Sequence, residues 1–214
     1  MNGASSGATK AAELAGRLRP VIADARVLAA IASVPRELFV PRRERKRAYD
    51  NVALPIDCGQ TISQPLVVAR MLEVLALRED DRALDVGTGS GYHAALLALL
   101  CEHVWTIERH AQLSAEAAEA IGQLGIANVT FVVGDGWAGL PERAPFDVIN
   151  VAAATGATIP AALEEQLAPG GRMVAPVGTT DQHLILAQRN PEGIVRAKLE
   201  AVRFVPLVRE DPDR

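Results

Sequence analysis

The chain has 214 residues, 49% of them hydrophobic and 22% charged, with a net charge of −4, a profile that excludes a disordered or fibrous chain. The acidic balance argues against nucleic acid as a partner, because such binders present a basic face. No apolar run reaches bilayer length, and Cys58 and Cys101 fall in no metal-ligand spacing, so no membrane association and no metal site are expected.

Met1–Gly7 lacks the basic and apolar regions of a signal peptide, which with two unpatterned cysteines predicts a cytoplasmic protein with free thiols. Residues 1–8 are small and polar and are expected to fray. Apolar residues at helical spacing (Leu14, Leu18, Val27, Leu28, Ile31, Val34) predict two short helices between Ala11 and Val34, broken at Pro20. Pro35 and Pro41 bracket an extended or turn-like piece. The basic run Arg42–Arg47 reads as a solvated helix face. Residues 50–65 have no helical period and contain Pro55, Gly59 and Pro65, which predicts a loop. Pro65 fits the first turn of the next helix, with Ser63 or Gln64 as cap. That helix would bury Val67, Val68, Met71, Leu72 and Leu75.

Strands and helices then alternate. Ala83–Val86, Val104–Ile107, Val129–Val133, Val148–Ala152 and Arg172–Val177 read as strands. Tyr92–Leu100, Ala111–Leu124 and Ile159–Leu167 read as helices. This rhythm predicts an α/β fold, a doubly wound and mostly parallel sheet with helices on both faces, preceded by a helical part over residues 9–47. Leu184–Ala187 and Ala201–Val208 have no crossover helix between them, and Asn190–Gly193 supplies a turn, so an antiparallel edge hairpin is expected. No linker or repeat interrupts the chain, and a single domain over 1–214 is expected.

The sharpest local signal is Asp85-Val86-Gly87-Thr88-Gly89-Ser90-Gly91-Tyr92, between a predicted strand and helix. Glycines there let the backbone approach a ligand at a helix N-terminus. A dinucleotide fingerprint would place its third glycine at position 92, which is tyrosine. Asp85, two positions before Gly87, suits a cationic ligand better than a pyrophosphate. Glu108 ends the next strand, where a carboxylate can accept hydrogen bonds from two ribose hydroxyls, and Gly134-Asp135-Gly136 follows the third strand. Three acidic groups at consecutive strand ends match the needs of S-adenosylmethionine, which carries a sulfonium, an ammonium, a ribose and an adenine.

The second signal is Gly59-Gln60-Thr61-Ile62-Ser63-Gln64-Pro65. This run resembles the active-site signature of the protein-L-isoaspartate O-methyltransferase family. Val34-Pro35-Arg36 with Phe39-Val40-Pro41, the glycine loop, Gly134-Asp135-Gly136, Ala144-Pro145-Phe146-Asp147, Gly170-Gly171-Arg172, Pro176-Val177-Gly178 and Val202-Arg203-Phe204-Val205-Pro206-Leu207 match it in order, from about residue 27 to 208. The resemblance implies a Rossmann-like fold and methyl transfer from S-adenosylmethionine, leaving S-adenosylhomocysteine, to the free carboxylate of isoaspartyl residues. It implies that the partners are damaged proteins and peptides, and that the enzyme initiates repair as a monomer. By position it makes Ser63 the catalytic residue, and Asp85, Gly87, Thr88, Gly89, Glu108, Asp135 and Gly136 the cofactor-binding set. Thr61, Ile62, Gln64 and Val205 become substrate-binding residues. A related methyltransferase acting on aspartate of a dedicated peptide is the alternative.

Three positions depart from the family pattern: Asp57, Asn150 and Ala152. A carboxylate at Asp57 near an anionic substrate would repel it, whereas Asn150 and Ala152 would affect packing or the cofactor rim. The substrate carboxylate is ionised at neutral pH and needs no general base. His93, His103, His110 and His183 form no triad or ligand pattern, so Ser63 is expected to orient the carboxylate and not to act as a nucleophile.

Overall fold

The amino-terminal third supplies a helical layer. The computed structural model describes residues 3–209, and in it α1 (Gly3–Leu18) and α2 (Ala25–Ser33) bury Leu14, Leu18, Val27 and Ile31 in one core. Asp24 caps α2 by accepting from the backbone N–H groups of Arg26 (2.8 Å) and Val27 (3.3 Å), satisfying donors the helix itself cannot. Residues 3–8, expected to fray, are assigned to α1; residues 1 and 2 of that stretch lie outside the described residues. Docking explains the difference: Gly7 packs beside Pro35 and Glu37, and its carbonyl accepts from the Tyr49 hydroxyl at 3.1 Å. Arg36–Phe39 and Arg42–Arg47 are 3₁₀ turns, the second of them solvent-facing.

Residues 50–65, expected as a loop, contain an antiparallel hairpin of β1 (Leu54–Pro55) and β2 (Thr61–Ile62), with Leu54 opposite Ile62. Both apolar residues point into the core. Two residues per strand are too few to show a period of two in the sequence. α3 (Pro65–Leu75) follows, with Gln64 at its cap position and Pro65 in the first turn. At its other end Arg172 donates to the carbonyls of Leu75 and Ala76, and makes a bidentate pair with Asp81, one arm at 2.9 Å. A cation is favoured at that end of a helix.

The remaining strands are β3 (Arg82–Val86), β4 (His103–Glu108), β5 (Val129–Val133), β6 (Phe146–Val151), β7 (Leu167–Val177), β8 (Gln182–Asn190) and β9 (Gly193–Val202). They form one sheet in the order β5-β4-β3-β6-β7-β8-β9. β5 to β7 pair in parallel, and β7, β8 and β9 antiparallel. Helices α4 (Tyr92–Ala98), α5 (Ala111–Gly122) and α6 (Ala161–Glu165) make the crossovers. Two apolar cores result, one including Leu72, Leu96 and Val104 and the other Leu84, Ile149 and Met173.

Two boundaries differ from the sequence expectation. The helix expected over Ile159–Leu167 shortens to α6, because Pro160 holds its cap position with ψ at 128° and Leu167 already pairs with Phe146 in the sheet. The strand expected over Ala201–Val208 starts instead at Gly193 and ends at Val202. Beyond it the chain leaves β8 and crosses to Ala154, whose N–H donates to Val205 O (2.8 Å) and whose carbonyl accepts from Leu207 N–H (2.7 Å). That crossing brings the last segment over the carboxyl ends of β3 and β6, where the strand order reverses and an open α/β sheet binds its ligand.

Candidate active site

The glycine loop closes over the end of β3. Gly87, Gly89 and Gly91 all have positive φ (89°, 51° and 86°), a conformation L side chains rarely adopt. A methyl group at Gly91 would also lie 2.8 Å from Ala117 Cβ, so this glycine is required for the loop to sit on α5. Gly89 N–H donates to Glu108 Oε2 at 2.9 Å, and His110 N–H to Oε1 at 3.0 Å. Glu108 is thus fixed by two backbone groups while lining a narrow cleft with Gly87, Gly89, Gly136, Ala153 and Leu207. Each of its oxygens keeps a further lone pair, so the carboxylate can receive two more donors, as a vicinal diol would supply. This pair of acceptors fits the ribose diol of S-adenosylmethionine.

Asp85 lies beneath that cleft, fully buried. Its Oδ1 accepts from Asn150 Nδ2 at 2.8 Å and its Oδ2 from the Thr106 hydroxyl at 2.9 Å. Burial pushes its pKa up to about 6; the bonds from Asn150 and Thr106 oppose the rise and the Glu108 charge adds to it. Thr88 joins the same network, its hydroxyl 2.6 Å from that of Thr106, so it supports the loop from below. Asp135 opens the turn after β5 and accepts from Trp137 N–H at 2.9 Å, next to Gly136 in the cleft wall.

Beside this cleft lies a larger one of about 600 Å³, lined by Ser63, Gln64, Val67, Arg203, Phe204 and Val205 among others. Thr61, Ala152 and Val205 line both spaces, so the two join there. Ser63 is half-buried, and its hydroxyl has no hydrogen-bond partner among the described residues. Ile62 points into the core behind the loop. Asp57 lines neither cleft; it faces a separate groove, with a carboxylate oxygen 3.8 Å from Arg43. Both cysteines are free, Cys58 exposed and Cys101 buried.

Sequence reasoning did not find three residues that hold these walls. Arg36 donates to the carbonyls of Ala48 (2.8 Å) and Ser63 (2.9 Å). Gln182 clamps Phe204 through its amide, accepting from the N–H at 2.6 Å and donating to the carbonyl at 3.2 Å. Asn150, seen only as a departure, holds Asp85. For Arg36 the signal available was its place beside Pro35; for Gln182 there was none.

A family model described as "Protein-L-isoaspartate(D-aspartate) O-methyltransferase" matches residues 12–211. A protein-L-isoaspartate O-methyltransferase of Vibrio vulnificus is 51% identical over 190 residues, covering 89% of this chain and 91% of the relative. A solved protein-L-isoaspartate O-methyltransferase superposes with a TM-score of 0.82 at 28% identity, covering 91% of this chain and 64% of that one. A Plasmodium falciparum counterpart, solved with S-adenosyl-L-homocysteine, gives a TM-score of 0.82 at 26% identity, covering 94% and 99%.

Proposed function

The chain belongs to the protein-L-isoaspartate O-methyltransferase family and is an S-adenosylmethionine-dependent methyltransferase acting on isoaspartyl carboxylates, and we propose that Ser63 and Thr61 orient that carboxylate while Glu108 anchors the cofactor. The observation that carries this reading is the junction of the two clefts at Thr61, Ala152 and Val205. One cleft holds a carboxylate suited to a diol, and the other an unpartnered hydroxyl suited to an anion.

When bound, S-adenosylmethionine supplies a methyl group activated by its sulfonium sulfur. Glu108 would accept from the ribose hydroxyls, and Gly87, Gly89 and Gly136 would let the backbone come close to the ligand. Asp85 contributes negative potential from below, held in a network that Thr88 joins through Thr106, and Asp135 would help hold the adenine. Ser63 and Thr61 present hydroxyls to the substrate carboxylate, Gln64 and Val205 flank it, and Ile62 anchors the loop in the core. The carboxylate is ionised at neutral pH, so orientation and exclusion of water supply the rate. His93, behind Ser63, has its pKa pushed down to about 4, chiefly by burial, so it is neutral at working pH and no proton transfer is assigned to it.

The same reading makes the chain a single domain that works as a cytoplasmic monomer on damaged proteins and peptides, without nucleic acid or membrane. The net charge of −4 supports it, as does the scatter of exposed large apolar residues (Val21, Val52, Leu99, Val133, Val195, Val208) over different elements. Among the described residues no helix is long and apolar enough to cross a membrane.

The test is methyl transfer from labelled S-adenosylmethionine to matched isoaspartyl and aspartyl peptides. Base-labile label on the isoaspartyl peptide alone is expected; label on neither sinks the substrate assignment. Ser63→Ala should lower kcat about tenfold, the worth of one hydrogen bond to a charged group. Affinity for S-adenosylhomocysteine should be unchanged, and full activity would remove the role given to Ser63.

A further inference from the structure

Arg36 is the most unusual buried group in the molecule. Its side chain has no exposed surface, and no carboxylate pairs with it among the described residues. A guanidinium in such a place is costly to keep charged; burial lowers its pKa only to about 10, so it remains a cation at neutral pH. What it has instead is two carbonyls and a ring. Nε donates to Ala48 O at 2.8 Å, one Nη donates to Ser63 O at 2.9 Å, and the guanidinium lies 4.9 Å from the centroid of the Tyr92 ring. The remaining Nη is buried without a partner.

These contacts join three pieces distant in sequence. Ala48 ends the basic 3₁₀ turn, Ser63 is in the active-site loop, and Tyr92 opens α4 immediately after the glycine loop. Ser63 itself takes no part in the α3 cap, whose position belongs to Gln64 without a side-chain bond. The carbonyl bond from Arg36 is therefore what fixes the Ser63 peptide against the wall behind it. It also leaves an unneutralised positive charge in a low-dielectric place, behind the loop that receives an anion. A buried charge is weakly screened by salt and acts at longer range than a surface one.

We propose that Arg36 is a positioning residue for methyl transfer, which sets Ser63 through its carbonyl and supplies the positive field that favours the substrate carboxylate. The proposal rests on the role given above to Ser63. It separates two contributions that different substitutions remove. Lysine keeps the charge but lacks the fork that reaches both carbonyls; methionine loses both.

The experiment measures kcat and KM for an isoaspartyl peptide, S-adenosylhomocysteine affinity by calorimetry, and the thermal melt, for the wild type, Arg36→Lys and Arg36→Met. For Arg36→Lys, kcat should fall about five- to tenfold with peptide KM within about threefold of wild type. Arg36→Met should in addition raise peptide KM by about tenfold or more. In both, S-adenosylhomocysteine affinity should stay within about twofold, a split that general loosening of the fold would not produce. Parallel loss of cofactor-product affinity and activity, or wild-type kcat and KM in either folded variant, would overturn the proposal. Should Arg36→Met fail to fold, Arg36→Gln, which is also uncharged, takes its place for the KM criterion, and Arg36→Lys decides the kcat criterion. A wild type inactive on the isoaspartyl peptide overturns the substrate assignment and this proposal together, whereas an active wild type with indifferent variants overturns this proposal only.

Discussion

The two halves of the site are built by different means. On the cofactor side, position is set by backbone: strand ends in register, three glycines with positive φ, and a carboxylate held by two N–H groups from its immediate surroundings. On the substrate side, position is set by side chains reaching across the fold. Arg36 holds Ser63 from 27 positions away, and Gln182 holds Phe204 from 22. The first construction rests on backbone groups and is intolerant of added atoms. The second depends on a few long-range hydrogen bonds, each replaceable in shape but not in direction.

A single methyl group should therefore break the first half. Gly91→Ala combines a φ of 86° with a Cβ 2.8 Å from that of Ala117. Its expected cost is about 3 kcal/mol of folding stability, from left-handed strain and overpacking together. Gly122, near the end of the same helix that carries Ala117, has open space where a Cβ would stand, with nothing within 4 Å. Gly122→Ala should instead stabilise by up to about 1 kcal/mol. Denaturant unfolding of both variants measures the contrast, and equal effects would mean that the loop is not set by close packing.

A smaller effect is expected where the second half meets the first. The ladder between β8 and β9 ends with Gln182 opposite Val202, and the Gln182 amide then takes the place of a strand partner for Phe204. Because Val205 borders both clefts, Gln182→Met should weaken S-adenosylhomocysteine binding and raise peptide KM together, each by about fivefold, as expected for one or two net hydrogen bonds lost over a loosened segment. This joint loss contrasts with the split expected at Arg36. If only one ligand were affected, Gln182 would be holding one wall and not the junction.

The same division explains how much was legible in the sequence. The alternation of strands and helices, the glycine loop and Glu108 follow from local rules of period, turn chemistry and distance along the chain, and the sheet places them as expected. The run from Gly59 to Pro65 was legible as a family signature, yet its hairpin was not, because each strand is two residues long. Arg36, Gln182 and Asn150 were illegible as wall-builders, since each acts on a group brought near only by the completed fold. Asp57 differs in the opposite sense: it is close to Ser63 in sequence, but the turn at Cys58 and Gly59 places it beside Arg43 and outside both clefts. The shortened α6 and the early end of β9 share a cause. Sheet pairing at Leu167, and its loss after Val202, override apolar runs that continue past both points.

Asn150 tests whether the cofactor half is set by backbone alone. It is a side chain inside that half, and it donates to Asp85 while its own Oδ1 is buried without a partner. Asp85 is an acid whose pKa is raised on folding, from 3.8 to about 6. The sign follows: the native state binds the proton more tightly, so this group favours folding below pH 4 and loses that contribution as pH rises through about 6. Cofactor binding should run the other way, because the ionised form is the one that attracts a sulfonium. S-adenosylmethionine affinity is therefore expected to strengthen between about pH 5 and 7, and more steeply than that of S-adenosylhomocysteine, whose sulfur is neutral. Asn150→Leu removes a hydrogen bond that lowers the Asp85 pKa, so the midpoint should move upward and the preference for the sulfonium ligand at pH 7 should fall about two- to threefold. Calorimetry with both ligands from pH 5 to 8 measures it. Parallel pH curves for the two ligands would show that Asp85 acts only as packing beneath the loop, leaving the backbone as the sole architect of that half.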